Sequence, residues 1–414
     1  MHYSSASGRP ERYGLIFWLF AILGLLNFAL PKAGIKLGGL PVTWGYLLLC
    51  ACGLLAAAAL PFRRGPRLMP TAQFLFGFLP LGLLAIIKAG TPEGTTTGAL
   101  VWSVNFIVLP SIILIFFSRR LEDLSDEQIA RVVSVCFRLA VAWGIFNFFL
   151  YAATKRTIEI AYVTVNADDY GMIFDKNNRR GGLMKLVSTY NNGNIFGVCA
   201  LILGPLYLSL DRSRFWRTMY VAAIVLTLSR TAWFGLIAMF IILRMLGLIR
   251  LNRASVWALA IGGVISVASL LPFMGWQVDR LTDSTLGNRI DLIYDFTITI
   301  WGENRISIPE LTYVGLAQSF GFLGLLFVMA ALFMPAVYGL LLRNRLSALQ
   351  KAALAGILTY LFVAIVDGAL AFIPVLAFFL FTCAMLYRQP SMATGKSAAQ
   401  NLSRPHARGT AAKF

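Results

Sequence analysis

Two arginines stand out as residues able to do chemistry in this chain. Arg230 lies in Thr227-Leu228-Ser229-Arg230-Thr231-Ala232-Trp233, with a long apolar run on either side. Charge inside hydrocarbon is costly, so an intramembrane arginine is a functional candidate by default. A tight turn between two short apolar helices would place Arg230 at a membrane face instead. Ser229 would then cap the second helix. A helix N-terminus offers open N–H groups and the positive end of the dipole, and a guanidinium adds a planar donor fork. Together they suit phosphate oxygens. The plainer alternative is an arginine snorkelling to the headgroups. Arg289, in Gly287-Asn288-Arg289-Ile290-Asp291, belongs to a later hydrophilic segment that should open on the same side. Its plainer role is a surface pair with Asp291 or Glu303, which would contribute little.

Glu310, in Ile308-Pro309-Glu310-Leu311-Thr312-Tyr313, is an acid at the mouth of a long apolar span. It is suited to accept a proton from a hydroxyl, or simply to complement a helix dipole. Arg280, Arg305 and Tyr313 are further candidates for substrate contact in this part of the chain. Tyr190, Asn191 and Asn194, in Ser188-Thr189-Tyr190-Asn191-Asn192-Gly193-Asn194, carry groups that hydrogen-bond or stack on a sugar. The same pattern also reads as a helix-capping turn. Asp168, Asp169 and Asp175 offer carboxylates to a divalent cation, but their spacing matches no EF-hand loop. The only histidines, His2 and His406, lie in the tails, so no metal site and no cofactor is expected within the fold. The five cysteines all sit in apolar stretches and read as small buried hydrophobes.

The elements that must position these residues are membrane helices. The 414 residues are 58% hydrophobic and 13% charged, with a mean hydropathy of +0.74. A soluble domain could not hide that much apolar surface, so the fold expected is an all-α polytopic membrane protein. Twelve spans are expected, near 13–31, 41–61, 70–88, 100–117, 132–152, 195–210, 215–229, 231–249, 254–273, 313–341, 352–370 and 372–387. The seventh and eighth are short and part at Ser229-Arg230. Short arginine-bearing loops alternate along the chain, which places them, and both termini, in the cytoplasm. The net charge of +18 is dispersed over those loops and the tails, which argues for anionic lipid headgroups over nucleic acid. Residues 1–390 read as one integral-membrane domain with external loops at about 154–194 and 274–312. Residues 391–414 read as a disordered basic cytoplasmic tail. Both external loops carry arginines or lysines against the positive-inside trend, which suggests an external anion.

The order of these features resembles the superfamily of O-antigen ligases and Wzy-type polysaccharide polymerases. The resemblance rests on Ser229-Arg230-Thr231-Ala232-Trp233, Gly287-Asn288-Arg289 and Gly321-Phe322-Leu323-Gly324, in that order, and on the asparagine-rich 191–194. It covers about residues 100–345. It implies a GT-C-type glycosyltransferase in the bacterial inner membrane, with a periplasmic site. Arg230 and Arg289 would hold the pyrophosphate of an undecaprenyl-linked oligosaccharide, and the reaction would be metal-independent and inverting. A chain-length regulator would be a possible protein partner; nucleic acid would not. The ligase branch carries a histidine after the large external loop where this chain has Glu310. That difference favours a polymerase, with Arg230, Arg289 and Glu310 as catalytic residues. A ligase acting on another acceptor is the first alternative, and a flippase of lipid-linked oligosaccharides the second. A transporter should more often show inverted repeats, and none is evident.

Overall fold

The computed structural model describes residues 14–37, 40–58, 67–89, 96–174, 178–180, 182–249, 298–303, 306, 311–370 and 372–389. Arg280, Arg289, Arg305 and Glu310, the ninth expected span and the C-terminal tail lie outside the described residues.

Helices form where the apolar runs are, and their ends fall on capping residues. In chain order they are α1 (Leu15–Ala29), α2 (Trp44–Ala58), α3 (Leu68–Ala89), α4 (Leu100–Asp123), α5 (Asp126–Thr154), α6 (Gly193–Leu210), α7 (Arg214–Leu226), α8 (Arg230–Met245), α9 (Thr312–Leu341), α10 (Ala348–Asp367) and α11 (Ile373–Tyr387). Ser125 with Gln128, and Ser347 with Gln350, close reciprocal capping boxes at the starts of α5 and α10. Asn192, Ser213 and Ser229 cap α6, α7 and α8. Six helices, α3, α4, α5, α6, α9 and α10, are long and apolar enough to cross a membrane. The chain is therefore an all-α membrane protein in its described part, and the helices coincide with the apolar segments expected from the sequence. The two helices that part at Arg230 are short, as expected. There α7 has 13 residues and α8 has 16, both short of the roughly 20 that a bilayer needs.

Two short antiparallel ladders stand outside the helices. β1 (Gly34–Leu37) pairs with β2 (Leu40–Thr43), and β3 (Arg179–Arg180) with β4 (Leu183–Met184).

The core is centred on α6 and α10, the most enclosed of the long helices. Tyr190, Phe196, Tyr207, Phe378 and Tyr360 are fully buried around them. Cys136, Cys199 and Cys383 are buried there as expected, whereas Cys50 and Cys52 are partly exposed. α9 is interrupted at Gly321, whose φ of 66° and ψ of −167° no helix contains. Residues 299–303 fill the break. Glu303 N–H donates to Gln318 O (2.7 Å), while Phe322 N–H donates to Thr299 O (3.0 Å) and Leu323 N–H to Ile300 O (3.2 Å). Lys88, near the end of α3, donates to the carbonyl of Glu303 at 2.7 Å. The backbone groups freed by the break are thereby satisfied within the protein, as a membrane helix requires.

Candidate functional site

The starts of α6, α8 and α9 meet the end of α10 at one end of the bundle. Each start is the positive end of a helix dipole, although the first N–H groups of α6 are already taken, that of Gly193 by Asn178 Oδ1 (3.3 Å) and those of Asn194 and Ile195 by Asn192 Oδ1. The junction is built from small residues. Gly197 of α6 lies so close to α8 that an added Cβ would be 2.9 Å from Ala232 Cβ. Gly368, just past α10, would place a Cβ 2.2 Å from Thr312 Oγ1 at the start of α9.

Arg230 is the first residue of α8 and is exposed. The turn before it is tightly held. Thr227 is buried and donates to Ile224 O (2.6 Å), and Leu228 takes a left-handed conformation (φ 51°). Ser229 Oγ accepts from Ala232 N–H (3.4 Å), and Trp233 Nε1 donates to Val225 O (2.8 Å). Leu186 N–H donates to Leu226 O (2.9 Å), which fastens the loop after α5 to this same turn. The turn is thus rigid while its guanidinium-bearing residue faces outward.

A chain of polar side chains runs beneath. Lys185 is 1% exposed, and its Nζ donates to Asn194 Oδ1 at 3.2 Å. Asn194 Nδ2 donates to Asp367 Oδ2 at 3.4 Å. Asp367, at 4% exposure, is the last residue of α10. Asn194 therefore links a cation of the loop to a carboxylate from the far end of the sequence. Sequence reasoning left Asp367 without a chemical role and did not couple it to Lys185. The available signal was its charge between two apolar runs, the usual mark of a functional intramembrane residue.

The other sugar-contact candidates are placed differently. Tyr190 is fully buried and donates its hydroxyl to Phe28 O (2.7 Å), so it anchors the loop to the end of α1. Asn191 is buried in a left-handed turn (φ 58°), and neither side-chain polar atom has a hydrogen-bond partner. Tyr313 donates to Leu361 O (2.9 Å), joining α9 to α10. Asn192 caps α6 by accepting from Asn194 N–H (2.8 Å) and Ile195 N–H (3.3 Å), so the capping alternative also holds for this segment.

Of the aspartates in the same loop, Asp168 and Asp169 are engaged with the hairpin, and Asp175 lies outside the described residues. Asp169 Oδ1 accepts from Lys36 Nζ at 2.5 Å, and Asp168 Oδ2 from Lys36 N–H at 2.7 Å. Among the described residues no group of three His, Cys, Asp or Glu side chains is placed to hold a metal ion.

The site can therefore present the Arg230 guanidinium and the start of α8 to an anion, above the lysine–amide–carboxylate chain of Lys185, Asn194 and Asp367. A separate cavity of about 770 Å³ lies between α1, α2 and α4, towards the other end of the bundle. Its lining is almost wholly apolar, with Arg120, Asp123 and Gln128 at one edge, so it is no part of this polar junction.

No protein-family model matches this chain, and no curated protein sequence or solved structure does so either.

Proposed function

We propose that this chain is a membrane glycosyltransferase of the Wzy-type polymerase class, with twelve spans and a GT-C architecture. It would transfer a growing glycan from undecaprenyl pyrophosphate onto a lipid-linked repeat unit at the periplasmic face of the inner membrane. Both termini would then be cytoplasmic. The observation that carries this reading is the exposed Arg230 at a helix N-terminus, beside the start of α6. Negative charge grows on the leaving pyrophosphate as the anomeric C–O bond breaks. Arg230, and Arg289 with it, would stabilise that charge. Preorganised donors aimed at developing charge are usually the largest catalytic contribution. Glu310 would accept the proton of the attacking hydroxyl. Asp367 and Lys185 would act through Asn194, holding the start of α6 against the end of α10. They are positioning residues in this scheme.

The test is a gel ladder from purified protein with a lipid-linked repeat unit as sole substrate and a chelator present. A ladder from wild type that disappears in folded Arg230→Ala, Arg289→Ala and Glu310→Gln supports the polymerase. No ladder, but transfer of preformed polymer to another acceptor, moves the assignment to a ligase.

One observation favours a different class. The break in α9 at Gly321 is the kind of discontinuous helix on which transporters build binding sites. Movement of a fluorescent lipid-linked oligosaccharide across proteoliposomes, with no new glycosidic bond, would decide for a flippase.

A further inference from the structure

The loop after α5 and the β1–β2 hairpin are joined into one extramembrane unit. Trp44, the first residue of α2, donates Nε1–H to Tyr162 O (2.9 Å). Lys36 of β1 pairs with Asp169 at 2.5 Å, and Gly34 bridges to Asn166. The unit emerges at the ends of α1, α2 and α5, so it begins where those helices leave the apolar layer. Its outer surface is unusual for a segment in water. Leu37 (58%), Ile158 (44%), Ile160 (44%), Tyr162 (54%), Tyr170 (57%) and Met172 (48%) are all substantially exposed. An apolar patch of this kind on extramembrane chain marks a contact surface.

The charges beside the patch are cationic. Lys155, the left-handed residue that ends α5, and Arg156 are both exposed. Arg179, also exposed, lies over the Phe174 ring with its guanidinium carbon 4.4 Å from the centroid. Among the described residues none of these three forms an ion pair with a carboxylate. Among the described residues, the acids of the unit are instead engaged inside it: Asp168 and Asp169 with Lys36, and Glu159 with the N–H of Gly171. Tyrosine and aliphatic side chains at the level of helix ends, flanked by lysine and arginine, match the boundary of a bilayer with anionic headgroups.

We propose that this unit is a foot that rests on the bilayer surface. Its apolar side chains would enter the headgroup–acyl boundary, and Lys155, Arg156 and Arg179 would take anionic phospholipid headgroups. The excess of positive charge in this loop is then a lipid contact, separate from the anion site at Arg230. The inference does not depend on the glycosyltransferase reading.

Collision accessibility of a nitroxide tests it. The label is placed at Tyr162→Cys in full-length protein whose native cysteines are replaced by serine, reconstituted in nanodiscs. Asn344→Cys, in an exposed turn at the opposite end, is the water reference. The expected result is severalfold lower access to a nickel chelate at position 162 than at 344, with higher access to oxygen. The contrast should grow when phosphatidylglycerol replaces part of the phosphatidylcholine. Lys155→Glu with Arg156→Glu should abolish that lipid dependence. Equal nickel access at the two positions in both lipids overturns the proposal. Protection that persists in detergent together with a doubled particle mass also overturns it, in favour of contact between two copies. The unmodified chain provides a second measurement should the cysteine-free protein fail to fold. A photoreactive anionic phospholipid should label residues 155–172, and labelling confined to the spans counts against the foot.

Discussion

The two ends of the helix bundle handle charge in different ways. At the end opposite Arg230, Arg138, Arg388 and Arg67 are closed into direct ion pairs. Arg138 of α5 holds Asp211, just past α6, with two hydrogen bonds of 2.9 and 2.7 Å. Arg388 is 4% exposed, pairs with Asp126, and donates to the carbonyls of Leu121 (2.9 Å) and Leu124 (2.6 Å). Arg67 pairs with Glu122 and donates to Tyr387 O. These bonds tie α3, α4, α5 and α11 into one knot. At the Arg230 end, Asn194 links Lys185 to Asp367 by bonds of 3.2 and 3.4 Å, and Arg230 is exposed. One end uses its charges for cohesion. The other pairs Lys36 with Asp169 in its hairpin, joins Lys185 to Asp367 through an amide, and leaves an arginine exposed at the start of α8. The proposed binding function uses the second end, where Arg230 is exposed at a helix start.

Substitutions can break or sharpen this contrast. The largest effect is expected for Arg230→Ala. If it is a charge-stabilising donor, turnover in the ladder assay falls by about 10²–10³. Thermal stability should stay near wild type, since the side chain is exposed. A parallel loss of stability would make Arg230 another cohesive residue and erase the difference between the ends. Arg388→Ala should do the reverse. It strands two carbonyls at the opposite end and should cost about 2–3 kcal/mol of stability. A detergent melting curve reads that loss, with the turnover of the remaining folded protein unchanged.

Gly321→Ala tests the region between the ends. An alanine at φ 66° is strained, and its Cβ would lie 2.3 Å from Gly302 N. The expected cost is about 1–3 kcal/mol, together with increased proteolysis near residue 303 as the inserted segment is expelled. The smallest effect is the pH response of Asp211. Burial pushes its carboxyl up, but the hydrogen bonds from Arg138 and from Ser213 N–H outweigh this and leave it below the ordinary value. A depressed carboxyl stabilises the fold above the unfolded value, about 4. That contribution is lost as pH falls through the lower folded value. The melting midpoint should therefore drop below about pH 4, and Asp211→Asn should flatten this part of the profile.

Much of the architecture was legible because the bilayer leaves so few options. Apolar runs gave the helices, and Ser229 before Arg230 marked the start of α8 as a cap does. The short α7 and α8 were anticipated as short, though not how short. The site was less legible. Tyr190 and Asn191 look alike as polar residues of one loop. Yet Tyr190 donates to a carbonyl 162 residues away, and Asn191 turns inward with no hydrogen-bond partner for its side chain. Side-chain direction in an irregular loop depends on what packs against it, and local periodicity carries no record of that. Asp367 was visible as a charge between apolar runs, but its partner lies 173 residues earlier.

By itself, the amino-acid sequence determined that this protein lives in a membrane, where the described helices run, and that Ser229 caps α8. Those properties follow from local composition, since hydrocarbon accepts only chain that satisfies its own backbone. Tertiary structure alone decided that α6, α8 and α9 begin where α10 ends, that Lys185 meets Asp367 through Asn194, and that residues 299–303 fill the break at Gly321. Such contacts join segments distant in the chain, and they form only when the packing of whole helices brings those segments together.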